Sequence, residues 1–147
     1  VQMASCSGAM GMGVPSAIAS SLRDTNRQVV CFVGDGGFLM TGNEMILASE
    51  YNLPIKFIVS NNSSFGTIRL YQEKSHPDRT LATDLCNPDF VAVAEAYGIK
   101  GYRIEDDNQI ASVIKAAFSL EGPCLIDVKT SLEYISAYTT ISELREE

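Results

Sequence analysis

The chain has few of the residues that several classes of site require. Its 147 residues contain no tryptophan and a single histidine, His76. The four cysteines form no Cys-x-x-Cys pair, so a zinc centre would need ligands from scattered positions. Four cysteines in a domain large enough to bury its own core are typical of buried thiols in a reducing compartment. The sequence therefore disfavours a zinc centre and predicts a cytoplasmic protein.

Positive charge is also scarce. Eleven basic residues face 18 acidic ones, for a net charge of −7. An acidic protein repels phosphate backbones, which disfavours a nucleic-acid partner. The uncharged stretch 1–22 is too polar and broken for a membrane helix and has no basic start, so neither a membrane segment nor a signal peptide is expected. An anionic ligand would have to be held locally, by backbone N–H groups or a metal.

Short apolar runs alternate with helical patterns along the chain. Strands are predicted at 29–33, 55–59, 101–104 and 124–128, because each is a short apolar run next to a turn signal. This alternation predicts one α/β domain over 1–147, a three-layer sandwich whose mostly parallel central sheet has helices on both faces.

The predicted helices follow from local start and stop signals. Thr41-x-x-Glu44 and Asp106-x-x-Gln109 resemble capping boxes, for helices over 41–51 and 106–120. Asn87 and Pro88 predict the start of a helix over 89–97 that Gly98 ends. A further helix is expected at 67–74, a mobile loop at 75–87, and a tail from 129 that ends in a solvated charged run.

Polar residues follow the first two predicted strands. Gly34-Asp35-Gly36-Gly37 comes after one, and Asn61-Asn62-Ser63-Ser64 comes after the other. Ligands of parallel sheets sit at the carboxyl ends of the strands. One carboxylate and one amide oxygen suit Mg²⁺ beside phosphate oxygens, and glycines let backbone N–H groups approach an anion.

Asp and Asn are also common in ordinary turns, where their side chains bond the local backbone. The combination of the two turns is more specific, because 24 residues with a predicted helix and strand separate Gly36 from Asn61. No P-loop sequence is present, and Leu39 stands where a dinucleotide-binding fingerprint needs glycine. The spacing therefore favours a metal-assisted diphosphate site over these other phosphate motifs.

These residues carry a resemblance to a known family. Gly-Asp-Gly, 24 residues and Asn-Asn resemble the cofactor signature of thiamine-diphosphate-dependent enzymes. The segment 8–15 resembles the preceding stretch in acetolactate synthase, pyruvate decarboxylase and benzoylformate decarboxylase. The segment 61–69 is most similar to acetolactate synthase large subunits. The resemblance covers roughly 8–128 and corresponds to the diphosphate-binding domain of those enzymes.

The resemblance implies a role for each matching residue. Asp35, the Asn62 side chain and the Ser64 carbonyl would bind Mg²⁺. The Gly36 and Gly37 N–H groups would contact the diphosphate, Met10 would bend the cofactor, and the Gly8 carbonyl would meet its aminopyrimidine. The implied cofactor-binding residues are Gly8, Met10, Gly34, Gly36, Gly37, Ser64 and Phe65.

Two residues also have an ordinary structural interpretation. Met10 is, on sequence alone, better explained as a core methionine that fills space, and its glycine neighbours favour the cofactor role. Arg69 is equally compatible with a substrate carboxylate and with a surface salt bridge.

The resemblance also implies what the chain does not supply. The glutamate that activates the cofactor lies on a separate pyrimidine-binding domain, so no catalytic residue is expected here. We expect a piece of a longer enzyme that acts on 2-keto acids by decarboxylation and carboligation, a homodimer or tetramer at full length, and inactive as an isolated domain. The alternatives are a domain or subunit of a simple 2-keto-acid decarboxylase, with separate subunits as in sulfopyruvate decarboxylase, and a noncatalytic module that keeps the fold.

Overall fold

A four-stranded sheet forms the centre of the computed structural model, which describes residues 7–146. The strands are β1 (Val29–Gly34), β2 (Ile55–Asn61), β3 (Lys100–Ile104) and β4 (Cys124–Lys129). Their order is β1-β2-β4-β3, and every described pair is parallel. The predicted α/β fold is thereby confirmed, with a sheet that is wholly parallel over the described residues.

Seven α-helices and one short 3-10 helix surround the sheet in the described part of the chain. They are α1 (Gly13–Arg23), α2 (Asp35–Thr41), α3 (Met45–Glu50), α4 (Gly66–Ser75), α5 (Phe90–Ala96), α6 (Asp107–Ser119) and α7 (Ile141–Glu146), with the 3-10 helix at Gly42–Glu44. None of the helices within 7–146 has the length and apolar character needed to cross a membrane.

Two apolar clusters fill the space between the central sheet and the helices on its two faces. Helices α1, α2, α3 and α5 cover one face of the sheet, where Phe38 and Phe90 meet edge to face with ring centroids 5.3 Å apart. Helix α6 covers the other face, where Ala117 packs with Ile104 and Ile126. The helices on both faces complete the predicted three layers.

Two strong local sequence signals for helix ends are confirmed by the structure. Asp106 caps α6 through the Asn108 N–H, and Gln109 reaches back to the Asp106 N–H as a capping box requires. Gly98 follows α5 with a φ of +72°, the left-handed conformation that favours glycine at a helix end.

Helix α1 has no counterpart among the predicted elements. Pro15 indicates a break in this stretch, but it is the third residue of the helix, where no intrahelical N–H bond is lost. The signal that could have revealed the helix is the spacing of Val14, Ala17, Ile18 and Ser21, all buried against the sheet.

The helix predicted over 41–51 is present as the 3-10 helix and α3, but the predicted capping box at Thr41 is wrong, and the helix α2 that precedes it has no predicted counterpart. Helix α2 begins at Asp35, so Gly36 and Gly37 lie in its first turn rather than in a free loop. Thr41 makes no capping hydrogen bond. Its hydroxyl instead donates to the Gly11 carbonyl at 2.7 Å, which competes with capping.

Two other terminal assignments are also wrong. Helix α5 is capped by Asp89, whose side chain accepts from the Val91 and Ala92 N–H groups, and not by Asn87. The tail after β4 contains α7, which buries Ile141 and Leu144. Its apolar positions are too few to stand out in a charged run.

The expectation that the cysteines are buried thiols is confirmed in part. Cys31 and Cys124 are buried free thiols, whereas Cys86 is exposed. Burial raises the pKa of the Cys31 thiol to about 11 and also raises that of Cys124, so both stay protonated near neutral pH. Cys6 lies outside the described residues.

Candidate metal and cofactor site

Asp35 lies at the carboxyl end of β1 and is buried, with 2% of its surface exposed. Three N–H groups surround its carboxylate. Oδ1 accepts from the Gly36 N–H at 2.9 Å. Oδ2 accepts from the Ser63 N–H at 2.7 Å and from Asn87 Nδ2 at 2.8 Å. Because a carboxylate oxygen accepts about two such bonds, Oδ2 is saturated and Oδ1 keeps one position for a further ligand.

The turn after β2 brings its backbone to Asp35. Ser63 has a φ of +56°, an unusual conformation for a residue other than glycine. Such strained residues persist where surrounding contacts hold them, as the Asp35 carboxylate holds the Ser63 N–H. The Ser64 carbonyl accepts from the Gly66 N–H at 2.8 Å. Since a carbonyl has two lone pairs, one is left for a cation.

Asn62 contributes its carboxamide to the same turn. Its Oδ1 accepts from the Ser64 N–H at 3.0 Å, as in an Asx turn. Asn62 lines a different cleft from Asp35, together with Ser60 and Lys129. The structure therefore links Asn62 to Asp35 through the adjacent Ser63 amide, but not through direct contact of the two side chains.

The remaining predicted site residues share one open cleft beside α1 and β1. Its lining includes Gly8, Met10, Gly34, Asp35, Gly36, Gly37, Ser64 and Phe65. A Cβ added to Gly36 would lie 2.6 Å from the Phe65 ring and 3.2 Å from Met10 Cε, so these three residues are neighbours. Met10 is 42% exposed, so it is not a space-filling methionine of the core.

Residues of α2 hold the loop that carries Met10 in place. The Thr41 hydroxyl holds the Gly11 carbonyl, and a Cβ on Gly11 would lie 3.2 Å from Met40 Cβ. Glycine is needed at Gly11 because its φ is +82° and space is short. Gly8, with a φ of +67°, is exposed and lines the same cleft.

The segment 75–87, predicted as a mobile loop, is hydrogen bonded to the turn after β2. The Phe65 N–H donates to the Thr83 carbonyl, and the Leu85 N–H donates to the Ser63 carbonyl, both at 2.8 Å. The Ser64 hydroxyl donates to the Thr83 carbonyl at 2.9 Å. Residues 83–85 thus form a short antiparallel contact with 63–65, although no regular strand forms there.

Arg69 forms salt bridges within the protein. Its Nη1 lies 2.7 Å from Asp84 Oδ1, and its Nε lies 3.8 Å from Glu73. The guanidinium is therefore engaged beside the segment that anchors the turn, as the salt-bridge interpretation of this residue predicts.

The donor chemistry of the site favours one kind of ion. Within 7–146, no three His, Cys, Asp or Glu side chains converge to hold a metal. The donors that the sequence predicts are a single carboxylate, a carboxamide and a carbonyl, all oxygen. Such a set fits Mg²⁺, which uses one or two carboxylates and completes its shell with phosphate oxygens and water.

Comparison with known proteins agrees with this chemistry. Residues 1–128 match the family model described as "Thiamine pyrophosphate enzyme, C-terminal TPP binding domain". The match covers both strand-end turns, the loop that carries Met10 and nearly all of the four strands, up to Val128 in β4.

Curated relatives carry related names. The chain is 39% identical to an acetolactate synthase large subunit of Lactococcus lactis over 125 residues, which is 84% of this chain and 22% of that protein. It is 39% identical to an acetolactate synthase of Bacillus subtilis over 119 residues, which is 81% of this chain and 21% of that protein. A large subunit of Parasynechococcus marenigrum is 37% identical over 123 residues, which is 82% of this chain and 20% of that protein. The chain thus spans about a fifth of the length of these relatives.

Proposed function

This chain belongs to the thiamine pyrophosphate enzyme family, as its C-terminal TPP binding domain, and we propose that it binds the cofactor's diphosphate through a Mg²⁺ ion held by Asp35, Asn62 and the Ser64 carbonyl. The observation that carries the proposal is the Asp35 carboxylate, which is buried at the carboxyl end of β1 with Oδ2 saturated and Oδ1 open to a ligand.

Electrostatics explains why an ion is needed. The chain has a net charge of −7, so an anionic diphosphate is repelled unless a cation neutralises it. The Gly36 N–H is occupied by Asp35, which leaves the Gly37 N–H, in the first turn of α2, as the better donor to the anion. Gly34 leaves open space at its Cβ position, where the ligand can approach the backbone closely.

The other cleft residues have roles toward the rest of the cofactor. Met10 and Phe65 flank Gly36 and form the apolar wall against which the rings of the cofactor pack. Gly8 lines the same cleft, and its carbonyl would accept from the aminopyrimidine. When bound, thiamine diphosphate would supply the nucleophilic chemistry, and the residues of this cleft would bind and orient it.

The function of the whole protein is inferred from its relatives. We propose an acetolactate-synthase-like enzyme that acts on 2-keto acids by decarboxylation and carboligation. It would act with a pyrimidine-binding domain that supplies the activating glutamate, as a homodimer or tetramer. A simple 2-keto-acid decarboxylase is the second candidate, because the metal site does not distinguish the two reactions. A cytoplasmic location stays a prediction.

Calorimetric titration with thiamine diphosphate tests the metal site. The protein in its natural length should bind the cofactor with Mg²⁺ and not with EDTA. Asp35→Ala should weaken binding by more than about 100-fold, because losing a ligand exceeds the 10–100-fold cost of losing a ligand's hydrogen-bond partner. Glu95→Ala is the control, since that carboxylate is exposed on α5 and lines neither cleft described above. Binding that persists in EDTA, or equally in Asp35→Ala, would contradict the proposal.

A further inference from the structure

We propose that Asn87 is a positioning residue for the metal site, holding Asp35 so that Oδ1 faces the ion. The inference rests on the proposed function, because it concerns the same carboxylate. It adds a residue that lies 52 positions after Asp35 in the chain and outside both strand-end motifs.

The Asn87 amide group bridges two acceptors. Nδ2 donates to Asp35 Oδ2 at 2.8 Å and to Asn61 Oδ1 at 2.9 Å. Both neighbours are oxygens that accept hydrogen bonds, so the amide nitrogen must face them and the reverse orientation would place oxygen against oxygen. The Asn87 Oδ1 atom is buried without a partner in the described protein. Leaving a buried oxygen without a partner costs free energy. The two hydrogen bonds of Asn87 Nδ2 therefore determine the orientation of this amide.

Asn61 fixes the second half of the bridge. Its Nδ2 donates to Asp127 Oδ1 at 2.8 Å, which turns Asn61 Oδ1 toward Asn87. Asp127 is fully buried and is paired with Arg103 and Lys129, each at 3.3 Å. A continuous set of hydrogen bonds and ion pairs therefore runs across the sheet from β3 and β4 to the carboxylate after β1, and its link between Asn87 and Asn61 joins two neutral amides.

The backbone on both sides of Asn87 is held in place. On the N-terminal side, residues 83–85 are hydrogen bonded to 63–65. On the C-terminal side, Asp89 caps α5 and contacts Arg103. Asn87 therefore reaches Asp35 from a fixed position.

A neutral amide suits this role. It neutralises none of the negative charge on Asp35, as a lysine or arginine would, and so leaves that charge for a cation. It also occupies the second position on Oδ2, which leaves Oδ1 as the oxygen with free capacity. Ligating carboxylates in metal sites are characteristically oriented by such partners.

The test measures the metal directly in the protein of natural length. Mg²⁺ affinity is measured by calorimetry at saturating thiamine diphosphate, and Mn²⁺ coordination is measured by electron paramagnetic resonance. Asn87→Ala should weaken Mg²⁺ binding by about 10–100-fold and alter the Mn²⁺ spectrum. Asn87→Ser, which keeps a shorter donor, should recover part of the affinity. Asn26→Ala is the control, because Asn26 is an exposed asparagine whose backbone, not its side chain, contacts Asp24.

The outcomes separate this inference from the proposed function. If wild type itself shows no Mg²⁺-dependent cofactor binding, the proposed function fails and the inference fails with it. If wild type binds and folded Asn87→Ala binds Mg²⁺ as tightly with the same Mn²⁺ spectrum, only the inference is overturned. The inference is also overturned if Asn87→Ala unfolds at a lower urea concentration than wild type but binds Mg²⁺ with unchanged affinity, since Asn87 would then serve the fold alone. If neither Asn87→Ala nor Asn87→Ser folds, the inference is also overturned, since Asn87 would again serve the fold alone.

Discussion

At the scale of single residues, the site depends on how the oxygens of one carboxylate are shared. Asp35 receives two N–H donors on Oδ2 and one on Oδ1, so its two oxygens are not equivalent. This asymmetry comes from three separate parts of the chain, namely the start of α2, the turn after β2 and the residue Asn87. Of the three donors, only Asn87 contributes a side chain, so it is the one contact that a substitution removes directly.

Gly36→Ala tests how closely the apolar wall packs on the first turn of α2. The new Cβ would lie 2.6 Å from the Phe65 ring, so the ring must move. We expect a loss of about 1–3 kcal/mol in the free energy of unfolding, as for other overpacked sites, together with weaker thiamine diphosphate binding. Urea unfolding and calorimetry measure the two effects.

Gly34→Ala is the matched control for stability. Its Cβ would meet no atom within 4 Å, and its φ of −73° suits alanine. The free energy of unfolding should stay the same or rise by about 0.4–1 kcal/mol, because the unfolded chain loses freedom. Equal destabilisation by the two substitutions would show that contact with Phe65 is not the cause.

At the scale of elements, α7 is joined to α4 by an ion pair between the exposed Arg145 and the buried Glu73. Arg145 donates to both carboxylate oxygens of Glu73, at 2.7 and 3.2 Å. Glu73 is fully buried, and Asp78 adds a backbone N–H at 3.1 Å. The Arg145 hydrogen bond is the main cause that lowers the pKa of Glu73 below its ordinary 4.5. Burial opposes this shift but is outweighed.

Arg145→Met should remove a stabilising contribution that depends on pH. Because the folded-state pKa of Glu73 is lowered, its contribution is complete above the unfolded value of 4.5 and is lost as pH falls through the lower folded value. The variant should therefore have a lower urea midpoint than wild type near pH 7, and the two midpoints should converge in acid. Arg27→Met is the control, because Arg27 forms no ion pair in the described part of the chain. A difference that persists unchanged into acid would show that packing of the arginine stem matters instead.

How far the sequence predicts these elements depends on whether their signals are local. The capping box at Asp106 and the glycine at Gly98 are recognised from a few neighbouring residues, and the structure confirms both. Helix α1 escapes prediction because a proline breaks a helix in its interior but not in its first turn, where Pro15 lies. Helix α2 escapes prediction because its first turn is glycine-rich, a composition typical of loops, although β1 passes directly into the helix.

The same distinction applies to the site. The positions of Asp35 and Asn62 just after two strands are predictable, because each follows a short run of apolar residues in the sequence. The contact of Asn87 with Asp35 is not, because it depends on the antiparallel contact between 63–65 and 83–85 and on the order of the strands. Asn87 before a proline is typical of a helix cap, a function that Asp89 performs two residues later.

At the scale of the whole molecule, topology brings the site together. All four described strands run parallel, so their carboxyl ends lie at one edge of the sheet. β1 supplies Asp35, β2 supplies the turn at 62–64, and β4 supplies Asp127, which holds Asn61. The acidic molecule thereby concentrates neutral backbone donors and one carboxylate at the point where an anionic ligand needs a cation.

The most direct measurement is a crystal structure of the protein in its natural length with Mg²⁺ and thiamine diphosphate. The account predicts one metal ion bound through Asp35 Oδ1, the Asn62 carboxamide oxygen and the Ser64 carbonyl, at about 2.0–2.1 Å, with diphosphate oxygens in the same shell. Asn87 should still donate to Asp35 Oδ2. A diphosphate bound without a metal at Asp35, or a metal held by other residues, would contradict the account.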